Sequence, residues 1–529
     1  MNKYFDEFLI KNNIKIYPKI NSKNFLCVDR GRLDQVLLSS FFSVLINRKF
    51  KFNPIILCDL KNKKTIKLYK SFGFNNFLIG FRFFLFFTHS LIFIKSFFLT
   101  IKVAFLIKKK NLNWFIYKYR LCNIQIGDLV HDQYLRDDDS YINPKVDVKY
   151  LNILFKAIFR TLNISRIIKL KDIKYIVVGT ETYAHNDGIS LRLGLEKNIP
   201  VIEPSGHSLS FFRYQKHHIA HGKLNIFYNN QIKIVQNFEK NKNKINKFLR
   251  KRFLGKAKTI YTSMSHLKKT NKKNRYISRN KYLEKNNFKK NEIKKIILFS
   301  CHAFSDANHG IGNNFLFLDY YDHLKKTLEF VNEVNNPNIL WVVKPNPTTE
   351  FNGEYEVVKS LVKRFENKKI ILLKNNITSH NISNISDNVI TGRGTVGMEF
   401  ACMGKYPIIV GSGVYSNLGF SLEFKTQKKY FVQLKDIETI KKLSKKQILL
   451  AKQTLHFIEN TPDQLFFEKF KNKQKKTFIK QSKFLVDPSP VSSMLGNNNK
   501  SFFSKRLLQN LKNFSFTKNS YTEYLLKKI

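Results

Sequence analysis

The stretch NVITGRGTVGMEFACMGKYPIIVG, residues 388–411, contains the signals of a strand, a tight turn, a helix and a second strand. The first apolar run ends at Ile390, Gly392 and Gly394 suit a tight turn, and Thr395 can cap a helix. Backbone N–H groups of a glycine-containing turn at a helix N-terminus favour phosphate. The stretch therefore predicts a parallel α/β unit with an anion-binding turn, and a plain turn without a ligand is the alternative.

The same alternation of strand-length and helix-length segments extends through most of the chain, which is typical of parallel α/β sheets. The predicted strands cover residues 24–29, 53–60, 174–180, 199–204, 294–300, 338–344, 369–373, 388–392 and 406–411. The predicted helices cover 32–47, 81–107, 148–170, 236–253, 320–334, 354–366 and a segment from 395. We therefore predict two Rossmann-like domains facing a central cleft.

The domain boundaries follow from composition. We place an N-terminal α/β domain at 1–255 and a second α/β domain at 293–470. A Lys/Asn-rich interdomain connection joins them over 256–292, and a basic tail that is mobile or packs back occupies 471–529.

The formal net charge of +55 on 529 residues needs an explanation. Residues 241–290 hold 18 Lys or Arg and a single acid, Glu284. No zinc-finger spacing or KH-type loop is present, so we expect no nucleic-acid partner. Two explanations stay open: an A/T-rich genome that encodes many Lys and Asn residues, and attraction to an anionic membrane surface.

Cysteine usage and apolar runs bear on the compartment. The five cysteines form no Cys-x-x-Cys pair, which fits a reducing compartment, and the N-terminus lacks a secretory pattern. Charges interrupt the apolar segment 81–107, whose longest uncharged run, 83–94, is shorter than the roughly 20 residues of a spanning helix. We expect a buried or interfacial helix here, and a cytoplasmic protein that lies at most peripherally on the inner face of the membrane.

Three loops that follow predicted strands of the second half offer ligands for a nucleotide. Each lies at the carboxyl end of a strand, where open α/β sheets bind ligands. Glu399, about one turn into the helix after Gly394, is placed to accept hydrogen bonds from ribose. The alternatives differ between the loops: a plain strand–turn–helix at 391–395, a rigid connection with a solvated lysine after residue 343, and loop packing or a metal site of unusual spacing at 300–312. The candidate donor-binding residues are His302, Asp306, Lys344, Asn346, Pro347, Arg393, Gly394, Thr395 and Glu399.

The loop TETYAHND, residues 180–187, supplies candidates for a general base. Glu181, His185 and Asp187 lie within one short loop, and a transfer that inverts a sugar's anomeric centre needs one such group to take a proton. Tyr183 and Arg192 are candidates for acceptor-side contacts. The alternative is that Asp187 caps the following helix and Glu181 is solvated.

Two other clusters lack the pattern of a metal site. His217, His218 and His221 have no acid in the zinc-protease position, and the acidic run 137–139 abuts Arg136. We therefore interpret the acidic run as a surface turn and expect neither cluster to bind a metal.

Taken together, these segments resemble bacterial capsular polysaccharide biosynthesis proteins, a group that includes the Kdo transferases of capsule export. The resemblance spans roughly residues 120–430. The segments that carry it are IGDLVHDQYLR (126–136), TETYAHNDGISLRLGLEKNIPVI (180–202), HAFSDANHG (302–310), LFLDYYDHL (316–324), VVKPNP (342–347), TGRGTVGMEFACMGKYPIIV (391–410) and YSNLGF (415–420).

The resemblance implies a GT-B fold and a glycosyltransferase that moves a sugar from a nucleotide-sugar donor to a capsular or surface polysaccharide. A CMP-linked sugar is among the candidate donors. The resemblance also implies that the domain at 1–255 is the acceptor side and that the domain at 293–470 binds the nucleotide sugar. It implies a glycan or lipid-linked acceptor, no cofactor and no metal. The family's Lys-x-His-Pro motif has Asn346 in place of the histidine. Two rival functions remain open: a sugar-nucleotide 2-epimerase on the same plan, and a non-catalytic scaffold of polysaccharide export on anionic lipid.

Overall fold

A computed structural model gives the fold of the chain. The residues that it describes are 16, 23–29, 31, 33–58, 63–79, 89–138, 142, 144–179, 183–204, 211–214, 243, 246–250, 278–309, 315–346, 353–365, 367–373, 379–413 and 415–459. They form two compact units, each built around one six-stranded sheet.

The first sheet has the strand order β3-β2-β1-β6-β7-β8, in which only β8 is antiparallel to its neighbour. The central strands are buried and almost wholly apolar, as expected for a sheet covered on both faces. The strands are β1 (Asn24–Val28), β2 (Asn53–Cys58), β3 (Phe77–Ile79), β6 (Ile173–Val177), β7 (Val201–Pro204) and β8 (Phe211–Arg213). A small antiparallel hairpin, β4 (Arg120–Leu121) with β5 (Ile124–Gln125), lies between β3 and β6 in the chain.

The second sheet repeats this order as β11-β10-β9-β12-β13-β14, and all five of its strand pairings are parallel. Its strands are β9 (Lys295–Ser300), β10 (Ile339–Lys344), β11 (Ile370–Leu372), β12 (Asn388–Thr391), β13 (Pro407–Ile409) and β14 (Leu422–Glu423). Both sheets therefore have the doubly wound order of a Rossmann fold, which confirms the predicted fold class.

The described helices flank these sheets. In the first half they are α1 (Leu33–Phe50), α2 (Lys63–Ser71), α3 (Ser90–Lys110), α4 (Leu112–Lys118), α5 (Gly127–Asp138), α6 (Val148–Leu170) and α7 (Asn186–Glu196). In the second half they are α8 (Arg279–Glu284), α9 (Tyr320–Val334), α10 (Glu354–Arg364), α11 (Ser379–Ile385), α12 (Thr395–Cys402), α13 (Gln427–Lys435) and α14 (Lys445–Glu459).

Strand order defines where each sheet can hold a ligand. Connections leave β9 toward β10 on one side of the sheet and reach β12 on the other, so the topological switch lies between β9 and β12. A Rossmann sheet binds ligands in the crevice outside the carboxyl ends of the strands at this point. The corresponding switch of the first sheet lies between β1 and β6.

Two segments near the predicted domain boundaries pack in the second unit. Leu249 belongs to a core cluster with Met398 and Tyr415. Within the predicted connection 256–292, α8 forms and its Tyr282 packs in the core beneath the second sheet. The boundaries at 255 and 292 stay predictions.

Residues 127–138, which the sequence analysis did not include among the helices, form α5, and this helix is buried from Gly127 to Leu135. The apolar segment 81–107 was predicted to be a buried or interfacial helix, and its described part belongs to α3. By length and composition, this helix could cross a membrane. Its most apolar stretch of 18 residues has a mean hydropathy of 2.0, and 22% of that stretch is buried.

Candidate anion-binding site

The turn between β12 and α12 is shaped by close contacts that require glycine. A Cβ on Gly392 would lie 2.6 Å from Cε1 of Tyr320, and one on Gly397 would lie 2.0 Å from the hydroxyl of Tyr415. That hydroxyl donates a hydrogen bond to the Gly394 carbonyl (2.7 Å). Packing, more than a positive φ, therefore selects glycine at 392 in the turn and at 397 in the first turn of α12.

The helix that follows the turn begins without a side-chain cap. The N-cap is Gly394, not Thr395, and no side chain accepts a hydrogen bond at the cap. Thr395 is the exposed first residue of α12. The N-terminus of α12 therefore presents backbone donors to an incoming anion.

His302 connects the loop after β9 to this turn. Its Nε2 accepts a hydrogen bond from the backbone N–H of Arg393 (3.2 Å), and its ring stacks on Tyr320 with centroids 4.3 Å apart. Burial and the charge of Arg393 lower the pKa of His302 to about 3. The imidazole is therefore neutral, and because Nε2 accepts, the proton is on Nδ1.

Arg393 is the buried cation of the site. Its side chain is 8% exposed, its Nη2 donates to the Asn308 carbonyl (2.5 Å), and its guanidinium lies 5.5 Å from the ring centre of Phe315. Nε and Nη1 are buried without a hydrogen-bond partner among the described residues. A buried guanidinium with open donors calls for an anion, because an unpaired buried charge is costly.

Lys344 brings a second cation to the same edge of the sheet. It ends β10, its register partner is Ser300 at the end of β9, and β12 pairs with the other side of β9. Burial lowers the pKa of Lys344, while the negative charge of Glu399 acts in the opposite direction. Glu399, half-buried on α12, is therefore close enough to Lys344 for their charges to interact.

The remaining donor-site candidates differ in their placement. Asp306 is half-buried, and its Oδ1 accepts from the N–H of Ala307 (3.0 Å). Asn346 is half-buried two residues beyond β10. Pro347 lies outside the described residues.

In the first unit, Asp187 has a structural contact. It is buried in the first turn of α7, and its Oδ1 accepts from the backbone N–H of Gly179 (2.6 Å), just past β6. The N-cap of α7 is His185, whose side chain is exposed and forms no cap hydrogen bond. Asp187 therefore ties the end of β6 to α7 instead of capping the helix.

The other first-unit candidates also have distinct environments. Tyr183 is buried with φ of 68°, a left-handed conformation that is uncommon for a side chain of this size, and its ring centre lies 6.4 Å from that of His185. Arg192 donates from Nη1 and Nη2 to the carboxylate of Asp128 (2.7 and 2.6 Å) and to the Gln125 carbonyl (2.6 Å), all buried. Glu181 lies outside the described residues.

Among the described residues, no three His, Cys, Asp or Glu side chains lie close enough together to hold a metal ion. Asp137 is exposed near the end of α5. His217, His218 and His221 lie outside the described residues, so the metal prediction for them stays a prediction.

Sequence reasoning assigned no role to three residues that build the site. Asn308 joins two elements, since its carbonyl binds Arg393 and its Oδ1 accepts from the N–H of Tyr320 (3.0 Å). Tyr320 supports the His302 ring, and Tyr415 holds the Gly394 carbonyl. All three lie in segments that carried the family resemblance, and this resemblance was the one sequence signal that could have pointed to them.

Comparison with known proteins gives a likeness of structure. No protein family and no curated protein matches this chain by sequence. Similar solved structures include KpsC, the β-Kdo 2,7 transferase of Thermosulfurimonas dismutans, at 16% identity and a TM-score of 0.30, covering 55% of this chain and 80% of that chain. The UDP-GlcNAc 2-epimerase of Methanocaldococcus jannaschii in complex with UDP-GlcNAc and UDP is 10% identical with a TM-score of 0.25, covering 83% and 100%. The wall teichoic acid polymerase TagF is 11% identical with a TM-score of 0.21, covering 96% and 94%.

Proposed function

We propose that the chain is a glycosyltransferase that takes a sugar from a nucleotide-sugar donor and passes it to a growing capsular or surface polysaccharide. The observation that carries the proposal is the buried Arg393, whose Nε and Nη1 have no hydrogen-bond partner among the described residues. It lies at the switch point of a Rossmann sheet, at the N-terminus of α12. A phosphate group is the anion that such a site is suited to bind.

The donor's phosphates would lie over the N-terminus of α12. Arg393 and Lys344 supply positive charge, and the neutral His302 can donate from Nδ1. Glu399 would accept hydrogen bonds from the ribose. Asp306 and Asn346 are placed in the loops after β9 and β10, where they would contact the donor.

The reaction is a displacement at the anomeric carbon. An acceptor hydroxyl oxygen forms the new bond to that carbon, and the bond from the carbon to the phosphate oxygen breaks with its electron pair going to the phosphate. Positive groups that are already in place stabilise the charge that develops on the leaving phosphate, which is the effect that contributes most in such sites. The hydroxyl proton goes to a base.

We propose that the first unit supplies this base, and that His185 is a stronger candidate than Asp187. The His185 side chain is exposed, so an acceptor can reach it. The Asp187 carboxylate is buried and accepts from the Gly179 N–H. Glu181, in the same loop, stays a candidate from the sequence.

The experiment is a turnover assay on the full chain with UDP-, GDP- and CMP-linked sugars, with and without a mixture of short surface glycans as acceptors. We expect release of the nucleotide that depends on acceptor, and a glycan whose mass increases by one sugar. Arg393→Met, which keeps length and removes the donors, should lose this activity, whereas Val432→Gln, an exposed change on α13, should keep it.

Two results would replace the proposal. Isomerisation of the sugar without acceptor would identify a 2-epimerase. Absence of both turnover and nucleotide affinity in a folded protein would identify a non-catalytic scaffold.

A further inference from the structure

The helix α3 has its large apolar side chains on the outside. They recur every three or four residues, so they share one face of the helix. Their side chains are between 45% and 82% exposed. We call this set the outer face of α3; it comprises Leu91, Ile94, Phe97, Phe98, Ile101 and Phe105.

The opposite face of α3 is buried and made of smaller or polar residues. Ser96, Thr100, Val103 and Ile107 face inward, and α3 packs along α6. The hydroxyls of Ser96 and Thr100 donate to carbonyls one turn earlier in the same helix, at 2.6 and 2.7 Å. A helix in water shows the reverse arrangement, whereas small residues inside and large apolar residues outside are typical of helices that face lipid.

The surroundings of the outer face are basic. Residues 60–127 contain no Asp or Glu and thirteen Lys or Arg. On α3 itself, Lys95, Lys102 and the run 108–110 are exposed. Lys110 Nζ lies 4.7 Å from the ring centre of Trp114, a residue type that favours the boundary between lipid and water. Positive charge beside an apolar face matches a bilayer that contains anionic lipids.

The connections of α3 indicate that it lies along a membrane surface. β3 precedes it and β6 follows it in the chain, and both are strands of the first sheet. Both ends of the helix are therefore on the same side of any membrane. Lys95 and Lys102 sit at the flank of the outer face, where long side chains can extend to the lipid headgroups.

We propose that the outer face of α3 inserts into the interfacial layer of an anionic bilayer, with the helix axis in the membrane plane. This surface belongs to the first unit and shares no residue with the Arg393 site, and the proposal does not depend on the proposed glycosyl transfer. It holds the first unit at the membrane.

The test uses the full chain and unilamellar vesicles of phosphatidylcholine with phosphatidylglycerol, carrying bromine atoms on the acyl chains. Single tryptophans are introduced by Phe98→Trp on the outer face and by Val432→Trp on α13, in a background with Trp114→Phe and Trp341→Phe. We expect acyl-chain bromines to quench the fluorescence at 98 and not at 432. Equal quenching at both positions, or none at 98, would overturn the proposal.

A pair of matched double variants measures the contribution to binding. Phe98→Gln with Phe105→Gln should lower vesicle binding by at least about tenfold in salt that screens simple adsorption of a basic protein. Val334→Gln with Val432→Gln, two exposed apolar residues of the second unit, should leave binding unchanged. All four positions are exposed, so circular dichroism should show an intact fold. If the first double variant instead dissociates a dimer and binds vesicles like the wild type, a second copy of the chain covers this face and the lipid proposal is wrong.

Discussion

The Nε2 atom of His302 accepts a hydrogen bond from the backbone N–H of Arg393, at 3.2 Å, and joins the loop after β9 to the turn after β12. The two residues are 91 positions apart in the chain. The bond fixes the histidine as a neutral ring and holds the backbone of the turn, while the Arg393 side chain is held separately by Asn308 and Phe315. His302 therefore positions the backbone of the turn at the N-terminus of α12, in addition to the donor contact that we propose for its Nδ1.

The first prediction concerns this bond. His302→Phe keeps a ring on Tyr320 but leaves the buried N–H of Arg393 without an acceptor, which should lower the free energy of unfolding by about 1–3 kcal/mol. Affinity for a nucleoside diphosphate should fall as well. His302→Gln can place an oxygen near the former Nε2 position, so it should recover part of both losses. Urea unfolding and calorimetry measure the two effects, and identical losses in both variants would argue against the positioning role.

A second prediction separates two roles of Glu399. If Glu399 binds ribose, Glu399→Ala should weaken nucleoside diphosphate binding by about 1–3 kcal/mol, the cost of a hydrogen bond to a charged group. Inorganic pyrophosphate, which has no ribose, should bind the variant as it binds the wild type. If pyrophosphate affinity changes as much as nucleotide affinity, Glu399 acts through the charge of Lys344 instead.

The third prediction is a pH dependence at Asp319, the N-cap of α9. Its Oδ1 accepts from the Asp322 N–H (2.7 Å), and burial raises its pKa from 3.8 to about 7. Because the folded state binds this proton more tightly than the unfolded state, the carboxyl group contributes its full stabilisation below pH 4. This stabilisation is lost as the pH rises through 7. Asn caps about as well and does not titrate. Relative to Asp319→Asn, the wild type should therefore lose about 2–4 kcal/mol of stability between pH 4 and pH 8.

Urea unfolding of both proteins at several pH values measures this difference. Stability curves that run parallel from pH 4 to pH 8 would show that Asp319 is ionised throughout. The Asp319→Asn variant is itself the control for the other titrating groups, which both proteins share.

A fourth prediction addresses the base of the first unit. Asp187→Asn keeps an oxygen that can accept from the Gly179 N–H, so the fold should be retained. If His185 takes the proton, His185→Ala should lower turnover by about 10²-fold or more, with nucleotide binding intact. Asp187→Asn should then stay near the wild-type rate. The reverse pattern would assign the base to Asp187, and Glu181→Gln tests the third candidate.

The sequence predicted those helices and strands whose ends are set by residues next to them in the chain. The helix α9 begins and ends where predicted, because Asp319 caps its N-terminus and Asn335 adopts the left-handed conformation (φ 42°) at its end. Buried parallel strands have short apolar runs as their signal, so nine of the twelve strands of the two sheets were predicted. The strands β3, β8 and β14, of three, three and two residues, are short and were missed.

Features that depend on distant partners were not predictable. The buried helix α5 was not predicted, since its polar sequence carries no local sign of burial: the ion-pair partner of Asp128 is Arg192, 64 residues further along the chain. The site was predictable in part: His302, Lys344 and Arg393 follow neighbouring strands, whereas the support from Asn308, Tyr320 and Tyr415 arises from contacts between elements far apart in sequence. A local pattern carries no information about such pairings.

The central claim is that Arg393 binds the phosphates of a nucleotide at the switch point of the second sheet. The direct measurement is isothermal titration of the wild type, Arg393→Met and Val432→Gln with UDP, GDP, ADP and CMP. We predict that at least one nucleotide binds the wild type and Val432→Gln equally, and that Arg393→Met loses about 1.5–3 kcal/mol of its binding free energy, the contribution of a charged hydrogen bond. Equal affinity of the wild type and Arg393→Met for that nucleotide, or no affinity of the folded wild type for any of the four, would contradict the account.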